Sequence, residues 1–289
     1  MNNAKYHCHL CGSAECSLLH RGTRDNPNVD VIKCSCCSFV FLSSFEHIED
    51  GYYEESKMNA DMSVEKWIES TAIDDQRRCD QFKELINGRR IIDFGCGNGG
   101  FLRKANKWGK SVVGVELDSS ARDYIEKNDY ISVYDSIDKC NGRFDCVFLF
   151  HVIEHLRPPL GAFFDSIFNK LESNGEIIIE TPNADDALLT FYSCEAFANF
   201  TYWSPHICLY NLRTLSDMLD KSGCRINWIH QYQRYSLANH LKWLYKGLPG
   251  GGINEYEFLN RQELNDVYSK TLSELDLCDT LICSVGKKC

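Results

Sequence analysis

Ile91-Ile92-Asp93-Phe94-Gly95-Cys96-Gly97-Asn98-Gly99-Gly100 is an apolar run that breaks into four closely spaced glycines. Such a run reads as a buried strand delivering the chain to the start of a helix. Glycine lets the backbone turn tightly and pass close to a bound nucleoside, and the helix that follows presents free N–H groups. Gly95, Gly97 and Gly100 also satisfy the dinucleotide pattern G-x-G-x-x-G, so the stretch alone leaves the cofactor open.

Outward from this turn the chain alternates. Strands are expected at 91–94, 112–116, 131–134, 144–150 and 176–180, with helices at 101–107, 120–127 and 160–172 between most of them. Alternation of this kind implies an α/β, Rossmann-like domain whose parallel sheet is covered on both faces. Helical spacing at 212–219, a strand at 226–230 and a last strand at 279–285 complete it. The segment at about 232–275 is longer than a hairpin connection and reads as a lid or substrate element. Upstream, helical spacing runs from 64 to 86 and stops at Gly88, as a left-handed cap would. The expected organisation is a cysteine-rich module at 1–43, a helical connector at 44–88 and the α/β domain at 89–289.

The chain has 289 residues, 44% hydrophobic and 25% charged, with a formal net charge of −10. That balance suits a globular protein and argues against an extended phosphate-binding face, so nucleic acid is not the expected partner. No apolar run reaches the length of a membrane span, and residues 1–10 lack the apolar core of a signal peptide. The 16 cysteines therefore read as reduced thiols of a cytoplasmic protein. Oligomeric state leaves no mark in the sequence.

Cys8-x2-Cys11 and Cys34-x2-Cys37 are two cysteine pairs separated by 22 residues. Each pair places two thiolates at one turn, and together they supply the four soft ligands of a closed, structural zinc site. Cys36, His7, His9 and Cys16 are the rival ligands.

Three features beside the glycines direct the cofactor reading. Asp93 stands directly before the turn, where a carboxylate can face an ammonium group. Glu116 ends the second strand, where it can grip both ribose hydroxyls. Asp135 ends the third strand, where it or Ser136 can reach an adenine. The fourth strand then closes with Phe150-His151-Val152-Ile153-Glu154-His155. In this order the set resembles the class I S-adenosylmethionine-dependent methyltransferases, over residues 90 to about 223. The resemblance implies S-adenosylmethionine as cofactor, held by Asp93, Gly95, Gly97, Gly99, Glu116, Asp135 and His151.

The opening, with its two cysteine pairs, Phe39-Val40-Phe41 and Gly51-Tyr52-Tyr53, is similar to zinc-containing methyltransferases of bacterial polysaccharide and deoxysugar pathways. Ser38 stands where that group often has glycine. The chain is shorter than the sugar C-methyltransferases of the group, which points away from a C-methyl product. The resemblance implies a small-molecule or glycan acceptor, and it lays Trp203-Ser204-Pro205-His206 over the methyl group.

A hydroxyl acceptor is a poor nucleophile until its proton is removed, and neutral imidazole suits that task. His206 is the expected general base, with His155 the rival. In the insertion, Arg234, Tyr235, Asn239 and His240 combine donors for a sugar and a phosphate, and the run Gly247 to Gly252 suits a loop. Two other readings stand beside the sugar methyltransferase. One is an rRNA or tRNA methyltransferase docking RNA through the zinc module, although residues 1–45 carry only Lys5, Arg21, Arg24 and Lys33 as fixed cations. The other is a non-catalytic binding module.

Overall fold

The computed structural model describes residues 6–49, 51–54, 63–251 and 255–288. Three short strands open it: β1 (Cys16–His20), β2 (Val31–Cys34) and β3 (Val40–Leu42). Helix α1 (Val64–Gln81) starts on Ser63, whose side chain accepts the Lys66 N–H, and a single turn α2 (Lys83–Ile86) follows. The α/β domain then runs β4 (Arg90–Phe94), α3 (Gly100–Ala105), β5 (Ser111–Val115), α4 (Ser119–Asp129), β6 (Val133–Tyr134), β7 (Phe144–Phe150), α5 (Gly161–Phe168) and β8 (Leu171–Pro182). It continues with α6 (Glu195–Thr201), β9 (Cys208–Leu209), α7 (Leu212–Lys221), β10 (Cys224–Tyr232), α8 (Leu237–Lys246), α9 (Gln262–Glu274) and β11 (Thr280–Lys287).

Seven strands form the main sheet in the order β10-β11-β8-β7-β4-β5-β6. Ile91, Ile92, Val147, Phe148, Ile177, Ile178 and Ile179 are fully buried, as central strands covered on both faces require. This is the Rossmann-like α/β fold expected from the alternation, with two corrections. The sheet is mixed, because β11 lies antiparallel between β8 and β10. The connection from β10 returns the chain beside its own strand, so β11 runs back as in a hairpin. The helix expected to reach 172 ends at Phe168: Leu171 pairs with Phe144, and that ladder draws 171–175 into β8.

The cysteine-rich segment does not fold apart from the rest. β3 pairs with β9, matching Val40 to Leu209 and Phe41 to Cys208, so a four-stranded sheet β1-β2-β3-β9 crosses from one end of the sequence to the other. Phe39 packs its ring on Tyr210, and one apolar cluster joins Phe39, Val40 and Phe41 to Ile207, Leu209 and Leu215. Ser38 adopts φ +67°, a left-handed conformation that explains why glycine suits this position. The insertion is a pair of helices, α8 and α9, and Gly247 ends α8 in the left-handed region. Gly252 lies outside the described residues. Among the described residues no helix is long and apolar enough to cross a membrane.

Candidate active site

Parallel pairing of β4, β5 and β6 aligns their carboxyl ends, which is where Asp93, Glu116 and Asp135 lie. Gly95, Gly97 and Gly99 all take positive φ, and the Gly97 N–H donates to Glu116 at 2.7 Å. A second N–H, from Asp118, reaches the other Glu116 oxygen at 2.9 Å. Burial raises the Glu116 carboxyl, and burial pushes Asp93 up to about 8 against the pull of Arg78. Helix α1 roofs this turn. A Cβ at Gly97 would meet the Trp67 ring at 2.8 Å, and one at Gly100 would lie 1.9 Å from an Asp75 oxygen. Asp135 pairs its Oδ2 with Lys139 at 2.7 Å, while its Oδ1 is buried with no hydrogen-bond partner among the described residues.

Beyond the carboxyl ends of β7 and β8 lies a buried ionic network that periodicity did not reveal. Glu180, fully buried, accepts from Arg77 at 2.9 Å and from Arg78 at 2.6 Å. Burial alone would raise its carboxyl, but His151 and the two guanidiniums hold it well below the carboxylate range. Arg234 reaches into the same network, bonding Asp74, and its Nη1 lies 3.1 Å from His151 Nε2. His151 sits at φ +56°, and its Nδ1 bonds Glu154 at 2.9 Å. Burial would lower His151; the hydrogen bonds to Glu154 and Glu180 raise it instead. A charged residue closing the apolar run Ile177-Ile178-Ile179 was the available signal for Glu180. Arg77 and Arg78 carried none beyond their place on α1.

A cavity of about 230 Å³ opens beside this network, lined by His151, His206, Arg234, Tyr235 and Asn239 together with Trp203 and Trp243. His206 faces His155 edge-on with ring centroids 4.9 Å apart. Burial and the neighbouring His155 push His206 down to about 3, so it is neutral at physiological pH. His155 is fixed by its Nδ1–H to the Pro205 carbonyl at 2.9 Å. His240 turns away from the cavity: its ring bonds Tyr268 at 2.8 Å and Gln233 at 3.1 Å, and burial lowers it to about 4. The expected substrate set thus separates into Arg234, Tyr235 and Asn239 on the cavity wall and His240 behind it. Asp186 lines the cavity and was not singled out; burial pushes its carboxyl up to about 8.

Cys8, Cys11, Cys34 and Cys37 converge, with all four Sγ atoms within 4.8 Å of one another. Cys8 and Cys37 are 3.6 Å apart, as are Cys11 and Cys34. A tetrahedral zinc with bonds of about 2.3 Å needs S···S edges of about 3.8 Å, so the donor set fits the metal. Cys36 is exposed and outside the cluster. His9 packs against Phe41 and Phe45.

A family model for the methyltransferase domain matches residues 68–227. The chain belongs to that family. The matched methyltransferase domain begins within α1, includes the whole glycine turn and ends in β10. Its relatives include the tRNA U34 carboxymethyltransferase of Dichelobacter nodosus, 28% identical over 37% of this chain and 37% of that protein. The mitochondrial ubiquinone biosynthesis O-methyltransferase of Schizosaccharomyces pombe is 24% identical over 39% of this chain and 45% of that one. The ribosomal protein L11 methyltransferase of Burkholderia lata is 28% identical over 44% of each chain. The chain thus spans less than half the length of these curated relatives. Among solved structures, a SAM-dependent methyltransferase from Archaeoglobus fulgidus is similar at 20% identity, covering 78% of this chain and 95% of that chain with TM-score 0.49.

Proposed function

We propose that this protein transfers a methyl group from S-adenosylmethionine to a hydroxyl of a sugar, nucleotide-linked or part of a glycan precursor. The observation that carries the reading is the position of His206: a neutral imidazole on the wall of a cavity that His151 and Pro182 border at the carboxyl ends of β7 and β8, with no hydrogen bond from its ring to another described residue. An acceptor hydroxyl can therefore donate to it.

Displacement at a sulfonium methyl needs an aligned nucleophile and a place for its proton. As the O–C bond forms, the hydroxyl becomes a protonated ether, a far stronger acid than any imidazolium. Even a weakly basic His206 then takes the proton, and its low proton affinity keeps it ready at every physiological pH. His155, held by Pro205, backs the His206 ring edge. S-adenosylmethionine, when bound, supplies the electrophilic methyl. Glu116 is suited to its ribose and Asp93 to its ammonium group, at the tight turn that the positive φ of Gly95, Gly97 and Gly99 allows. Trp203 and Trp243 add apolar lining to the cavity, while Asn239, Tyr235 and Asp186 offer polar edges to the hydroxyls of a sugar.

The four cysteines hold a structural zinc ion in this reading. Equimolar zinc in the purified protein, lost in Cys34→Ser, is the expected analysis.

Labelled S-adenosylmethionine offered with nucleotide-sugars and polysaccharide extract, with unmodified total RNA, or with ribosomal proteins separates the acceptor classes. Label in the sugar pool that disappears in His206→Ala, with S-adenosylhomocysteine still bound, is the expected result. Label in RNA or protein alone overturns the sugar acceptor, and undiminished transfer by His206→Ala overturns the role of the imidazole.

A further inference from the structure

Arg24 belongs to the cysteine-rich segment, yet it lines the same cavity as His206 and Asn239. Its guanidinium lies 4.4 Å from the Trp203 ring centroid and 5.1 Å from that of Phe200. Its backbone N–H donates to the Tyr202 carbonyl at 2.8 Å, and Nη1 donates to the Phe200 carbonyl at 3.3 Å. The remaining guanidinium N–H groups meet no acceptor among the described residues. Nor does Arg24 form an ion pair there. The adjacent carboxylate, Asp25, turns its oxygens to Ser204 and Thr23.

The contrast with the other cation of the cavity is informative. Arg234 is committed to Asp74 and His151. The protein as a whole carries a formal net charge of −10, so its general field repels an anionic ligand. The exposed Arg24 guanidinium, set against two aromatic rings at the edge of the cavity, keeps N–H groups available for contact with an oxyanion.

We propose that Arg24 is the acceptor-recognition cation of this cavity, binding an oxyanion, phosphate or carboxylate, carried by the molecule that is methylated. The proposal rests on reading this cavity as the acceptor site. It makes the cysteine-rich segment part of substrate recognition: one side of the acceptor is bound by residues before β2, the other by the insertion after β10.

The test uses the full-length, zinc-loaded protein saturated with S-adenosylhomocysteine. It is titrated with inorganic pyrophosphate, with malonate and with neutral glucose, following tryptophan fluorescence and calorimetric heat. Pyrophosphate or malonate should bind, glucose much more weakly, and the anion that binds identifies phosphate or carboxylate. Arg24→Met keeps the length of the side chain against Trp203 and should weaken that anion by about tenfold or more, whereas Arg24→Lys should retain part of the affinity. Zinc content and S-adenosylhomocysteine affinity should be unchanged in both, separating recognition from folding. With the acceptor in hand, Arg24→Met should raise KM and leave kcat nearly intact. Equal binding of anions by wild type and Arg24→Met, or no anion binding better than glucose, overturns the proposal while leaving methyl transfer to sugars standing. Loss of anion binding in Arg24→Met without label in any sugar overturns only the sugar acceptor.

Discussion

Asp25 holds Ser204 through both carboxylate oxygens, one accepting the Ser204 N–H at 3.0 Å and the other its hydroxyl at 2.7 Å. The two residues are far apart in sequence, and Ser204 stands two positions before His206. His47 adds a bond to the Ser204 carbonyl at 2.8 Å, and the β3–β9 pairing begins just downstream at Cys208. The loop bearing the proposed proton acceptor is thus fastened on the cysteine-rich segment, not on the cofactor domain alone.

Asp25→Ala should therefore impair turnover through the loop and spare the cofactor. Losing two hydrogen bonds to a carboxylate should destabilise the protein by roughly 1–3 kcal/mol. Thermal unfolding and S-adenosylhomocysteine titration check both halves; loss of cofactor affinity together with turnover would mean the loop is not the affected part.

Glu180→Gln should be severe for a different reason. It leaves Arg77 and Arg78, both largely buried, without the charge they share. Breaking a buried ion pair by removing one partner costs roughly 3–5 kcal/mol, which urea unfolding would register. A change below about 1 kcal/mol would show that water replaces the carboxylate.

Asp93 gives cofactor affinity a pH dependence. With its carboxyl pushed up to about 8, it is largely protonated at neutral pH in the free protein. A cofactor ammonium favours the ionised form, so affinity for S-adenosylmethionine should rise with pH and level off above about 8, by at most about tenfold per pH unit. Asp93→Asn should bind weakly and lose this slope. A wild-type affinity flat between about pH 6 and pH 8 would remove Asp93 from the cofactor's charge balance.

Acid should destabilise the fold through His206. Its folded value of about 3 lies below the ordinary 6.5, so between these values the unfolded chain binds the extra proton. Stability is full above about 6.5 and falls as pH drops toward 3, by an amount of order a few kcal/mol. His240, lowered to about 4, acts in the same direction. Urea unfolding of wild type and His206→Gln at about pH 4.5 and pH 7.5 should show a smaller pH loss in the variant. Identical losses would mean that His206 takes up its proton in the folded state.

The carboxyl-end residues Asp93 and Glu116 were legible because a strand's last residue and the turn after it are adjacent in sequence. The same locality exposed the two cysteine pairs, since each pair needs only one turn. Arg77, Arg78 and Glu180 escaped because their pairing joins α1 to β8, and nothing along the chain marks which helix face a strand end will meet. Asp135 was read at the end of β6 in the same way, while its pairing with Lys139 through one oxygen and the burial of the other belong to the tertiary structure.

The sequence by itself determined the alternation of strands and helices, the glycine turn and the thiolate spacing, because backbone geometry and hydrophobic period are local properties. Only the tertiary structure decided that β3 would pair with β9, that Asp25 would hold Ser204, and that Arg24 would meet His206 and Asn239 across one cavity. Those contacts depend on which buried faces find each other. A strand edge or a stacked guanidinium carries no record of its distant partner until the core has closed around both.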